Sequence, residues 1–447
     1  MFKSFFNKKK TAATVSLPKQ TAEAVSHTSR MPGEGILNSG KRVKLPEAFL
    51  KKLIPLGNLP AQELQSLDVK LIKLKPGEIV FNRGDKAEAL FYLVKGVIFV
   101  ETAGGNTREI AAETMEALYP LSTGEVQQLK VIAKSAAAVI CFPLACLRFC
   151  TARNYSTETG LLNIPEQLAD NNFIRLFNEQ FREGQFKVPN LPDVALRLRA
   201  AMQQDIGIAE AVIIVNMDPV IAAKLIQTAN SPVYRTLTPA SSCHEAINRM
   251  GLAATRIIVI SFSMKNLFIC KNKVLRKRLD EIWRQSIQIA SISRTLAVLT
   301  RAADPEEALL AGLVHNIGAI PMLRFADSLS ADECTAGEIE DGLTFMSGQV
   351  GSEVLRKWEF PERLADIPVH CEDWFYDSGG SLALVDIVIL ARFHSLLGRK
   401  QVRQLPLLST LSAFQKLDDN TLTPDLSLQV LHDAEQQILD AMNLFLV

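Results

Sequence analysis

The stretch running from Glu306 to Leu323, EEALLAGLVHNIGAIPML, limits the possible folds more than any other. Leu309, Leu310, Leu313, Val314 and Ile317 follow helical spacing, so the segment is expected as a largely buried helix. One polar pair, His315-Asn316, interrupts it. A buried polar group left without a partner costs about 1–3 kcal/mol, so the pair needs a defined pocket. That pocket either holds a metal ion or is the remnant of one that did.

Such a core needs a long chain around it. At 447 residues, 48% of them hydrophobic, the sequence is expected to form two or three domains. No uncharged run reaches 18 residues, so no spanning helix is expected, and the start MFKSFFNKKK lacks the apolar core of a secretory signal. The net charge of +1 is uneven: residues 1–52 carry eleven Lys/Arg against three Asp/Glu, leaving −7 for the rest. A nucleic-acid-binding body would hold its positive charge on the folded part, so no nucleic acid is expected as partner. Seven cysteines without a C-x-x-C fit neither a disulfide framework nor a zinc ribbon, and a reducing cytoplasmic location is expected.

Residues 1–44 read as a disordered basic tail. Phe2, Phe5 and Phe6 lie among Lys3 and Lys8 to Lys10, yet so short a tip is expected to be solvated, not docked on a membrane. Residues 45–150 begin with two short helices and then alternate, IKLKPGEIVFNRGDKAEALFYLVKGVIFVETAGG. Pro76-Gly77, Arg83-Gly84-Asp85 and Gly96 punctuate β-branched and aromatic runs, which predicts a compact antiparallel β-roll. Residues 151–184 read as a helical linker, with Phe173, Leu176, Phe177 and Phe181 on one side.

Lys75-Pro76-Gly77-Glu78, Gly84-Asp85 and Leu93-Val94-Lys95-Gly96 give this roll a resemblance to the cyclic nucleotide-binding superfamily. The resemblance implies a jelly roll whose nucleotide is held by a Glu on the ribose and an Arg on the phosphate. In ETMEALYPLSTGEVQQLKVIAKSAAAVICF, Glu116 matches the first and Lys134 stands at the second, while Met115 replaces the preceding glycine. A point charge in place of a planar fork weakens phosphate binding. The roll is therefore expected to dock a partner, dimerise or sense something else, with a cyclic-nucleotide sensor as the alternative. No helix-turn-helix follows it.

The remainder is all-helical. Asp218-Pro219 marks a helix start, Ser242 to Glu245 a capping box, and Gly251 a helix stop. Leu191-Pro192, Asp218-Pro219 with IAAKLIQTANSPVY, and SSCHEAINRMGLAATRIIVIS make residues 185–400 resemble the HD-related output domain, HDOD, of bacterial signalling proteins. LVHNIG is similar to the "LLHDIGK" of HD metal-dependent phosphohydrolases. Against that pattern the ligand positions fall at Gln285, His315-Asn316, Ser347, His370-Cys371 and Arg392. An amide cannot bridge cations as a carboxylate does, and Arg392 would place a permanent cation where the metal belongs. Asp386 lies six residues from Arg392, about 240° around the helix, and is not expected to substitute. Residues 401–447 are expected as a helical extension packed on this domain.

These features imply a multidomain α+β protein, a β-roll followed by an HD-like helical domain, that signals through other proteins, with a homodimer as one arrangement. No catalytic residue, metal or other cofactor is expected. The enzyme alternative is a phosphodiesterase built on His315, His370 and Cys371. The basic run Lys271 to Arg278 is expected as a solvated loop and helix start.

Overall fold

A computed structural model describes residues 40–147, 164, 168–182, 195, 197–198, 206–396 and 405–417, less 60, 102–106, 233, 235, 266, 269 and 331. The tail before residue 40, residues 151–163 of the expected linker, Leu191-Pro192 and the end of the expected extension, 418–447, lie outside these residues.

The first body is a two-sheet antiparallel roll. Its strands are β1 (Lys41–Arg42), β2 (Lys70–Leu74), β3 (Ile79–Phe81), β4 (Ala89–Lys95), β5 (Val97–Glu101), β6 (Thr107–Ala111), β7 (Lys130–Ala133) and β8 (Ala137–Pro143). One sheet has the order β1-β2-β8-β4 and the other β3-β7-β5-β6. Glycines at the expected turns take left-handed backbone, with φ of 86° at Gly77 and Gly96 and 88° at Gly84. At Gly96 the chain passes so close to the Ala136 carbonyl that a side chain would stand 2.5 Å from it.

The alternating pattern of β4 does not translate into one wet face. Phe91 and Leu93 enter the core between the sheets, while Leu90 and Tyr92 face a second cluster of Leu50, Leu53, Leu56, Leu59 and Leu64. These leucines come from α1 (Glu47–Leu50), α2 (Ala61–Ser66) and the turns between them, which cover the outside of the first sheet. The roll also starts earlier than the expected boundary at residue 45. Lys41 and Arg42, read as tail because they are basic, pair in register with Leu71 and Lys70.

The second body is helical: α3 (Asn172–Arg182), α4 (Ile208–Val215), α5 (Pro219–Ala229), α6 (Cys243–Lys265), α7 (Lys273–Thr300), α8 (Pro305–Val314), α9 (Ala319–Ala326), α10 (Ala336–Lys357), α11 (Glu362–Ala365), α12 (Ile367–His370) and α13 (Leu384–Leu396). Local signals set several boundaries. Asp218 accepts from the backbone N–H groups of Val220 and Ile221, and Pro219 follows as the first helical residue. Gly251, at φ 81°, breaks α6 where a stop is expected. Ser242 accepts from Glu245 N as a capping box requires, but the Glu245 carboxylate reaches back to Ser241 instead.

α3, within the expected helical linker, packs into this core. Its Phe173 and Phe177 rings lie 6.0 and 5.4 Å from Phe325. Asn171 caps it and also donates to the Glu338 carbonyl of α10. The span Pro305–Ala326 has the length and hydropathy to cross a membrane, but it folds as α8, a turn and α9, and 83% of its apolar window is buried inside the protein.

The last described segment, Leu405–Leu417, is the described part of the extension expected over residues 401–447. It forms a 3-10 turn (Leu408–Thr410) and the short α14 (Ser412–Gln415). It touches both bodies: Leu407 packs on the core of the roll, while Leu411 and Phe414 join the helical core.

Candidate functional site

α8 delivers His315 at its C-terminus, where Asp304, capping the N-terminus, and Pro305 have set its start. Gly312 lets α8 approach α7 closely, since a Cβ there would sit 2.6 Å from Ala290 Cα. The His315 ring is buried, and its Nδ1 donates to the Gly312 carbonyl at 2.8 Å. Burial, with the Arg392 guanidinium nearby, pushes its pKa down to about 3, so the ring is neutral.

Three of the expected positions converge. The Cys371 thiol donates to the His315 carbonyl at 3.7 Å, and Arg392 of α13 donates to the Cys371 carbonyl. Arg392 also reaches Glu372 at 3.3 Å and stacks 4.9 Å from the centre of the Trp374 ring. Cys371 is fully buried, which raises its thiol to about 12.

The other positions stand in different surroundings. His370 stacks on Tyr376 at 4.1 Å with the rings 16° apart, and burial lowers it to about 4. Gln285 of α7 and Asn316, in the turn after α8, are half-buried. Ser347 is buried on α10, where its backbone carbonyl abuts Gly318.

The set does not suit a divalent ion. Such a site needs several anionic or imidazole donors aimed at one point. Among the described residues no three His, Cys, Asp or Glu side chains gather in that way. The Nδ1 of His315 is engaged by its own helix, and the cation beside it and Cys371 is Arg392.

Asp386 has a different role that the sequence did not disclose. It is fully buried and accepts from Ser378 Oγ at 2.6 Å, Ala383 N at 2.8 Å and Lys416 Nζ at 3.2 Å. The signal was an acid in the otherwise apolar run LVDIVIL, which demands a cation, but spacing could not point to Lys416.

In the roll, the two residues assigned to a nucleotide are not brought together. Glu116 is buried and paired with Arg108; Lys134 is paired with Glu109 and lies 5.0 Å from the centre of the Phe99 ring. Arg108 and Glu109 are consecutive on β6, so they project from opposite faces of the sheet. Arg108 stands opposite buried Val100 on the inner side, and Glu109 stands opposite Phe99 on the outer side. Lys134 thus occupies the outside of the roll, across the sheet from Glu116.

Comparison with known proteins bears on the helical body. The HDOD domain profile matches residues 188–372. A solved structure from Shewanella amazonensis SB2B, provisionally designated a metal-dependent phosphohydrolase, is 25% identical and superposes with a TM-score of 0.52. The match covers 62% of this chain and 98% of that one. An HDOD domain protein of unknown function from Geobacter sulfurreducens is 21% identical over 62% of this chain and 98% of its own, with a TM-score of 0.47. The sensor domain of the transcriptional regulator DNR from Pseudomonas aeruginosa aligns over 27% of this chain and 100% of its own, at 16% identity and a TM-score of 0.20. No curated protein matches the chain. Helical order, the HNIG turn and the profile match together identify residues 188–372 as an HDOD domain, carried behind an N-terminal antiparallel β-roll.

Proposed function

We propose that this protein is a signalling protein whose HDOD domain is a non-catalytic output module, controlled by the β-roll and read by other proteins. The observation that carries this reading is the placement of Arg392. Its guanidinium neighbours His315 and Cys371, and the acid of the HD pair is the neutral Asn316. A guanidinium is always protonated, so the pocket supplies its own positive charge. The HD-like architecture then serves as a packed helical scaffold whose surface is the working part. An input acts on such a scaffold only by binding two arrangements of it with different free energy.

The enzyme reading draws on the provisional phosphohydrolase designation of the Shewanella relative. Metal analysis of the purified full-length protein, together with phosphodiester hydrolysis in added manganese, iron or zinc, separates the two. The scaffold reading expects substoichiometric metal and no turnover above buffer. One equivalent of bound metal with turnover abolished in His315→Ala would overturn it. Capture from native cells, with the exposed surface of the HDOD body varied, then identifies the partner.

A further inference from the structure

We propose that Leu405–Leu417 is a strap that transmits the state of the β6–β7 loop of the roll to the vestigial HD pocket. The inference rests on the reading that the roll governs the HDOD domain, and it specifies the route.

The strap is fastened to both bodies by polar contacts. On the roll, Thr123 Oγ1 donates to the Thr410 carbonyl at 2.6 Å, and Gln415 Nε2 donates to Thr123 Oγ1 at 2.8 Å and to the Ser409 carbonyl at 3.0 Å. Leu407 adds an apolar contact with the core between the sheets. On the helical side, Lys416 donates to Ser378 Oγ at 2.6 Å and pairs with Asp377 at 3.0 Å and with Asp386 at 3.2 Å. Ser412 Oγ donates to the Phe375 carbonyl at 2.9 Å.

The segment 371–378, which the strap grips at Phe375, Asp377 and Ser378, runs directly out of the HD pocket. Two adjacent aromatics on it join the bodies, Trp374 packing against both clusters and Phe375 entering the one on the roll. Trp374 lies edge-on to Phe393 at 5.9 Å and carries Arg392 on its ring. Phe375 is buried in the cluster under the first sheet of the roll, 6.2 Å from Tyr119. Tyr119 and Thr123 belong to the loop that opens with Glu116, the acid held by Arg108. One loop of the roll therefore bears on Phe375 directly and on Asp377, Ser378 and Asp386 through the strap.

The asymmetry of the fastenings decides which end yields. Lys416 is nine-tenths buried and faces a fully buried carboxylate, so releasing it strands a charge. The roll end is held by neutral hydrogen bonds and is the end that lets go. A rearrangement around Glu116 that moves Thr123 would free the strap there, loosen 371–378, and alter the support of Arg392.

The test is amide hydrogen exchange by mass spectrometry on the full chain carrying Thr123→Val, which keeps shape and removes the hydroxyl. Exchange in 405–417 and in 371–378 should rise about fivefold or more, as weakly held segments open first, while the break-free core of α7 stays unchanged. Rates in 371–378 within twofold of wild type, with 119–126 accelerated, would overturn the proposal. Lys416→Met should accelerate 371–378 and 384–396 more strongly. Should that variant fail to fold, Gln415→Leu applies the same test from the strap side, with the same overturning result. None of these readouts involves metal or turnover. Lost coupling without metal refutes the route alone, whereas intact coupling in a metal-loaded, active protein refutes the scaffold reading alone.

Discussion

Gly318→Ala tests whether the HNIG glycine serves close packing rather than chemistry. Gly318 has ordinary helical torsions, φ −65° and ψ −21°, so alanine meets no backbone objection there. The objection is spatial. Its Cβ would collide with the Ser347 carbonyl and lie 2.5 Å from Gly351 N, both fixed backbone atoms of α10. Relief requires α9 and α10 to separate, an overpacking cost near the upper end of about 1–3 kcal/mol. The smaller conformational entropy of unfolded alanine returns about 0.4–1 kcal/mol. The net loss is about 2 kcal/mol, which in a helical body of this size lowers the midpoint of thermal unfolding by about 4–8 °C. Circular dichroism at 222 nm reads the shift. Gly207→Ala is the control: its Cβ meets nothing within 4 Å, and its midpoint should stay within about 1–2 °C of wild type. Equal midpoints for Gly318→Ala and wild type would refute the packing argument.

Three further expectations follow from the same geometry. His315 and His394 are buried neutral with pKa lowered from 6.5 to about 3 and about 4, so only the unfolded chain takes up protons as pH falls below 6.5. Stability is therefore full above pH 6.5 and declines on acidification, by about 2 kcal/mol per imidazole at pH 5; urea midpoints that do not move between pH 7 and 5 would contradict this. Arg108→Ala leaves buried Glu116 unpaired and should cost about 1–3 kcal/mol, against about 0–1 kcal/mol for Lys134→Ala in its exposed pair with Glu109. Urea titration ranks the two, and the reverse order would show the burial argument to be mistaken. Asp218→Ala removes both cap hydrogen bonds of α5 and should cost about 1 kcal/mol in the same assay, an unchanged midpoint counting against the cap.

Features governed by neighbours along the chain were legible. The helix start at Asp218-Pro219, the break at Gly251 and the glycine turns of the roll each depend on a few adjacent residues. Arg392 and Cys371 were placed near His315 through family resemblance, and the structure brings these three together. What escaped was set by distant surroundings. Lys41-Arg42 looked like tail because charge hides an edge strand whose pairing is entirely backbone. Spacing along β7 could not show that Lys134 emerges outside the roll, across the sheet from Glu116. The partner of Asp386 lies 30 residues on, in a stretch read only as part of the C-terminal extension.

The insertion of Phe375 beneath the first sheet has a consequence for biosynthesis. The roll's strands are complete at Pro143, but the ring that fills their outer cluster is encoded more than 200 residues later. At about 5–20 residues per second, roughly 10–50 s of translation separate the two events. During that interval the nascent roll lacks the ring that completes its outer cluster beside Tyr119, so that cluster is finished only when the downstream half arrives.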